Sequence, residues 1–270
     1  MSEITVACVQ MSPQLGEVGE NLVRMTEFIE KIRGEHDVNL IVFPELCTTG
    51  YECGVRFTEL AERIPGPTTN LMSQRASEFE VHLAFGMVVK EKVESIIYNA
   101  AILIGPDGEI LGDYRALHPK GEERLAFRPG YRLPVFDTGI GRIGLMLGWD
   151  LAFPEVARSL ALDGAELILA LANWEKPNQE EWKAYALARA MENASFLAAA
   201  NRVGEEYTYA FFGESVILGP RGQVLAIMDE DTEGYCVARI NLDDVRRTRE
   251  ELQIMQCRQP QAYRSIVRRY

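Results

Sequence analysis

Arg142-Ile143-Gly144-Leu145-Met146-Leu147-Gly148-Trp149-Asp150-Leu151-Ala152-Phe153-Pro154-Glu155 joins a short apolar run to a helix entry through a sharp turn at Gly148-Trp149-Asp150. The run has the continuous hydrophobicity of a strand buried on both faces. Pro154 and Glu155 suit the first turn of a helix. A residue at such a strand-to-helix corner projects at the carboxyl edge of a sheet, where reactive nucleophiles are often displayed. Here the corner residue is Gly148, which has no side chain to display.

Outward from this corner, strands and helices alternate. Strands are expected at Ile4–Gln10, Val38–Phe43, His82–Val89, Ile97–Ile104 and Glu109–Tyr114, the last two joined by the turn Gly105-Pro106-Asp107-Gly108. Further strands are expected at Val135–Thr138, Gly141–Leu147, Leu167–Ala172, Phe196–Ala200, Glu214–Leu218, Val224–Met228 and Tyr235–Ile240. Helical spacing marks Glu20–Gly34, with Leu22, Met25, Phe28, Ile29 and Ile32 on one face. Helices are also expected at Asn70–Glu80, Glu155–Asp163, Glu180–Asn193 and Leu242–Arg249. Alternation around buried strands predicts a layered α/β fold, and the hairpins predict mixed sheets. No linker, low-complexity stretch or short repeat divides the 270 residues, so a single domain over 1–270 is expected.

Composition narrows the partners. Hydrophobic residues make up 47% of the chain and charged residues 25%, as in proteins that bury a large core. The net charge of −12 argues against nucleic acid or an anionic membrane surface as partner. No apolar run reaches spanning length, and the first residues lack the basic start of a signal peptide. The five cysteines are scattered, which reads as reduced thiols in a cytoplasmic protein. The three histidines lie far apart, and no metal or other cofactor is expected.

Several segments, in this order and spacing, carry a resemblance. They are Val42-Phe43-Pro44-Glu45-Leu46 with Thr49-Gly50-Tyr51; Gly112-Asp113-Tyr114-Arg115; Glu122-Glu123-Arg124 with Phe127, Pro129 and Gly130; and Gly148-Trp149-Asp150 with Phe153-Pro154-Glu155. They continue with Ala172-Asn173-Trp174; Ala188 to Asn193; Ala200 to Gly204; and Gly213-Glu214-Ser215. Together they resemble the nitrilase, or carbon–nitrogen hydrolase, superfamily over nearly the whole chain. The resemblance implies a four-layer α-β-β-α sandwich and assembly as a homodimer or higher homo-oligomer. It also implies hydrolysis of amides, nitriles or carbamoyl compounds by a Glu base, a Lys that stabilises the tetrahedral intermediate and a Cys nucleophile. That chemistry needs a thiolate beside a base and a cation where oxyanion charge develops.

The resemblance places the glutamate at Glu45. The family's Tyr-Arg-Lys reads Tyr114-Arg115-Ala116 here, so Ala116 takes the lysine position; nearby Lys120 reads as an exposed loop lysine. The family's Cys-Tyr/Trp-Asp reads Gly148-Trp149-Asp150, so Gly148 takes the cysteine position, and Cys47 reads as a buried bystander. By the same resemblance Glu122 or Glu123 helps position the substrate, with Glu122 taken as the contact. Trp149, Asn173 and Trp174 line the ligand site, and the Trp149 N–H points at the oxyanion site. His118 reads as a structural hydrogen-bonding partner, and Asp150 as the cap of the following helix. Replacing Lys by Ala and Cys by Gly is expected to widen a polar cavity beside Glu45, which water or ligand fills.

Three functions follow. The first is a divergent homologue that binds a small amide- or amine-type ligand and uses Glu45 for non-covalent acid/base chemistry. The second is a pseudoenzyme kept as a binding or assembly module, since losing a nucleophile removes several orders of magnitude in rate. The third is an amidase, nitrilase or carbamoylase inactivated by engineered substitutions.

Overall fold

The computed structural model describes residues 3–92 and 96–268. Its first sheet holds β1 (Glu3–Gln10), β2 (Leu40–Val42), β3 (His82–Lys90), β4 (Ile97–Ile104), β5 (Ile110–Arg115) and, from the chain's end, β14 (Gly234–Asn241), in the order β14-β1-β2-β3-β4-β5. The second holds β6 (Val135–Thr138), β7 (Gly141–Leu147), β8 (Leu167–Ala172), β9 (Phe196–Asn201), β12 (Val216–Leu218) and β13 (Val224–Ile227), in the order β13-β12-β9-β8-β7-β6. Each sheet is mixed: β1-β2-β3 and β7-β8-β9 run parallel, and the flanking strands run antiparallel.

Side-chain alternation builds the layers. Leu145, Leu147, Leu169, Leu171, Ala198 and Ala200 of the second sheet share one buried cluster with Val6, Cys8, Leu40, Val42, Ala101 and Leu103 of the first. The sheets therefore pack face to face. The opposite side of the first sheet buries Ala7, Val9, Ile41 and Phe43 with Met25, Ile29 and Ile32 of α1 (Val18–Glu35), where α3 (Pro67–Glu78) adds Met72 and Ala76. A small helix α2 (Phe57–Leu60) precedes α3. The outer side of the second sheet packs on α5 (Pro154–Leu162) and α6 (Gln179–Asn193), which follow the short α4 (Glu123–Ala126). The result is α-β-β-α, as expected, with α7 (Asp243–Leu252) after the last strand. Because strands buried on both faces cannot leave polar backbone unpaired, they also account for why the short continuous apolar runs locate so well.

Differences concentrate at turns. Glu214 adopts φ 56° and lies outside the strand expected from it, so β12 begins at Val216. A two-stranded ribbon, β10 (Val203–Glu205) with β11 (Ala210–Phe212), stands apart from both sheets; three-residue strands carry too little periodicity to announce themselves. Among the described residues no helix is long and apolar enough to cross a membrane.

Candidate active site

The carboxyl ends of the parallel strands β2, β7 and β8 converge, as they do around ligands in open α/β sheets. Glu45 follows β2, Gly148 follows β7 and Asn173 follows β8. Glu45 is 2% exposed. Its Oε1 accepts from Asn99 Nδ2 of β4 at 2.5 Å, and its Oε2 accepts from the Asn173 N–H at 3.0 Å. Burial pushes its carboxyl well above the usual range, and the charge of Glu123 adds to that; the bonds from Asn99 and Asn173 oppose it, and Asp150 raises it further.

The loop carrying Glu45 lies hard against β3. A Cβ on Gly86 would meet Leu46 N at 2.5 Å and Glu45 Cα at 2.6 Å, both backbone atoms that cannot swing away. Gly86→Ala is therefore expected to destabilise the fold by about 1–3 kcal/mol, as overpacking does. It should also displace Glu45. Thermal unfolding checks the first effect; a melting point unchanged from wild type would show that the loop has room.

Gly148 sits at φ 40°, in the left-handed region that strains a side chain. A Cβ there would lie 2.5 Å from Glu45 Oε2 and 2.9 Å from Oε1. The expected widening beside Glu45 is thus corrected at this corner: the carboxyl itself occupies the space a side chain at 148 would take. Ala116, 5% exposed, lies just past β5, where its N–H donates to the Asn99 carbonyl at 3.0 Å.

Asp150 is a clamp rather than the helix cap expected of it. It accepts from the Tyr114 hydroxyl at 2.6 Å and from the His118 N–H at 3.0 Å, and its Oδ1 meets His118 Nδ1 at 2.7 Å. Its contact with the Leu147 N–H is long, at 3.4 Å. His118 also stacks on Phe153 at 3.7 Å, so the 114–118 segment is pinned to the corner.

Of the two adjacent acids, Glu122 is exposed and Glu123 turns inward. As the first residue of α4, Glu123 follows Glu122 by about 100° of helical rotation, which is enough to separate the two. Glu123 receives the Lys120 N–H at 3.0 Å and the Tyr51 hydroxyl, yet burial, with Asp150 and Glu175 adding, raises its carboxyl to about 7. Lys120 is more than a loop lysine. Its Nζ lies 4.1 Å from the centroid of the Trp149 ring and 3.2 Å from Glu175 Oε1, bracing the rim. Trp149 and Trp174 face each other at 5.5 Å. Asn201 holds the Trp174 backbone through its amide at 2.7 and 3.2 Å. The amide of Asn173 is buried, with neither polar atom partnered among the described residues.

Cys47 lies on the other side of the first sheet. Its Sγ approaches the Gly86 carbonyl at 3.5 Å and Met25 Sδ at 3.8 Å, and burial pushes its thiol up to about 12. It faces no base. Among the described residues, no group of three His, Cys, Asp or Glu is arranged to hold a metal ion.

Sequence reading missed Asn99, Tyr51, Lys120 and Glu175 as members of this cluster. Asn99 had a signal: it is the polar residue in the apolar run Ile97–Ile104. The others depend on loops whose paths only the fold sets.

The carbon-nitrogen hydrolase family model matches residues 5–250, so the chain belongs to that family. It is 41% identical to a probable nitrilase of Schizosaccharomyces pombe over 97% of this chain and 98% of that one. It is similar to the crystal structure of a carbon-nitrogen hydrolase from Helicobacter pylori, with a TM-score of 0.93, 27% identity and 99% of each chain covered. It is also similar to a mutant amidase from Nesterenkonia sp. AN1 that carries the acetamide moiety of fluoroacetamide covalently on its active-site cysteine. The TM-score is 0.86, with 25% identity over 97% of this chain and 96% of that one.

Proposed function

We propose that this carbon–nitrogen hydrolase homologue carries Ala116 and Gly148 at the positions of the family's lysine and cysteine. It binds a small amide- or amine-type ligand beside Glu45, between Trp149, Asn173 and Trp174, and works without a covalent step. The observation that carries this reading is the Glu45 carboxyl standing where a side chain at 148 would be. A glycine cannot form the adduct that the amidase from Nesterenkonia forms on its cysteine. A buried carboxyl held well above its usual range holds its proton more tightly than an ordinary glutamate and can give it to a departing nitrogen. Before that nitrogen leaves, water adds directly to the acyl carbon; the C–N bond of the tetrahedral adduct breaks as the carboxyl protonates the nitrogen, and the proton that water loses returns to the carboxylate, which closes the cycle. Assembly as a homodimer belongs to the same reading. Exposed Leu187, Met191, Val224 and Ile227 offer apolar surface for it, and sedimentation at several concentrations tests it.

The test is ammonia release from a panel of amides, nitriles and carbamoyl compounds. Release that falls at least about 100-fold in Glu45→Gln, the scale of a lost general acid/base, is expected. Silence in both proteins would sink hydrolysis of those compounds and leave the pseudoenzyme reading. The double substitution Ala116→Lys/Gly148→Cys is expected to add little, because Glu45 is held by Asn99 and Asn173 in the space the thiol needs. Strong thiol-dependent hydrolysis by that variant would overturn the proposal in favour of an amidase whose two residues had been replaced by design.

A further inference from the structure

Glu45 is bonded by two donors, and one of them can also accept. Among the described residues Asn99 is the side chain that bonds it, at 2.5 Å through Nδ2, while Asn99 Oδ1 is buried without a partner. Asn99 itself is 1% exposed, so bulk solvent does not reach that oxygen. Its backbone is fixed by the β3–β4 ladder and by the bond from the Ala116 N–H, whereas among the described residues Glu45 alone holds the amide. A half-turn about its last torsion exchanges Nδ2 for Oδ1. Side-chain amides have that freedom because their donor and acceptor ends are nearly the same shape.

We propose that Asn99 is the positioning residue for the Glu45 proton, with two settings of one amide: Nδ2 donating to the carboxylate, and Oδ1 accepting from the carboxylic acid. In either setting Asn173 N–H continues to hold the other oxygen. The partnerless Oδ1 is then the contact vacated in the carboxylate setting. The inference rests on the proposed function only in taking Glu45 as the working group. The other titratable groups facing Glu45 are Tyr51 after β2, Tyr114 of β5, Glu123 of α4 and Asp150 of the corner, all acids. Because none of them is a cation, the hydrogen bond from Asn99 is a principal influence favouring the charged form.

Two measurements decide it. The first is the carboxyl infrared band of Glu45, isolated as the difference between wild type and Glu45→Gln across pH, and repeated in the Asn99→Leu background. A bond to a charged acceptor is roughly twice as strong as a neutral one, so losing both settings favours the acid. The Glu45 midpoint is expected to rise by about one unit, a tenfold gain in proton affinity. A midpoint that stays or falls overturns the proposal, and a merely structural Asn99 would leave it in place. The second is the melting temperature of Glu45→Gln near pH 5, which stays decisive if Asn99→Leu fails to fold. There the new amide nitrogen donates to Asn99 Oδ1, and the melting point is expected within about 2 °C of wild type. A larger drop would mean donor facing donor, and that Asn99 has one setting only. Neither readout requires turnover, so a chain that hydrolyses nothing still gives both answers.

Discussion

Raising the pH from about 5 to about 8 lowers the thermal stability of this chain, and Glu45→Gln removes a large part of that loss. In the unfolded chain Glu45 and Glu123 ionise at ordinary carboxylate pKa values; in the folded chain burial holds both protons to higher pH. Between the two, the folded state binds more protons than the unfolded one, so stability falls as pH rises. It is fully present below the ordinary carboxylate range and is lost progressively up through the folded values, which for Glu123 means through about 7. At ~1.4 kcal/mol per pKa unit, Glu123 contributes a loss of roughly 2–3 kcal/mol, and Glu45 adds its own. Acids held low, such as Glu52 and Glu91, act below this window. Buried His82 works in the opposite sense, but it is common to both proteins and cancels in their difference. Glu45→Gln supplies a neutral side chain of nearly the same shape. Its melting point should therefore exceed that of wild type at pH 8 by at least about 2 °C, the shift that ~1 kcal/mol gives in a chain of this size. Parallel melting curves for the two proteins across pH would show that Glu45 is charged at neutrality and would remove the proton donor from the proposed chemistry.

The second large effect lies outside the cluster and reaches it. The side chains of Arg202 and Glu206 are 0% and 2% exposed and form an ion pair. Arg202 also lies 4.2 Å from the centroid of Phe211, while Glu206 receives the N–H of Tyr51 at 3.0 Å and of Glu52 at 2.6 Å. Arg202→Leu leaves that carboxylate buried without its cation, which costs about 3–5 kcal/mol. A fall in melting temperature of roughly 10 °C follows. Arg202→Leu/Glu206→Gln should recover at least about 1 kcal/mol, because a neutral amide oxygen still accepts from the two N–H groups. The single variant should also weaken ligand binding, since Tyr51, held by Glu206, carries the hydroxyl that bonds Glu123. A single variant that loses less than about 1 kcal/mol would show that Glu206 takes up a proton or reaches water at little cost.

The sequence by itself determined the layers. Leu167–Ala172 and Ile97–Ile104 are apolar at every position or nearly so, and runs that short and that apolar are comfortable only as strands covered on both faces. The same information located the corner at Gly148, because a chain leaving a buried strand must change composition where it turns, while the family resemblance supplied Glu45 as the working carboxyl. Local pattern did not reveal which of Glu122 and Glu123 turns inward, that Asp150 clamps the 114–118 segment, or that Lys120 reaches Trp149 and Glu175. Each of those depends on a partner brought from a distant part of the chain. The Glu45 carboxyl standing in the place of a side chain at 148 belongs to the same class. Glu45 and Gly148 are separated by more than a hundred residues and sit on different sheets, and only the packing of those sheets brings a charge-bearing group onto a bare backbone. Periodicity decides what is buried; the tertiary structure alone decides what a buried carboxyl touches, and therefore when it holds its proton.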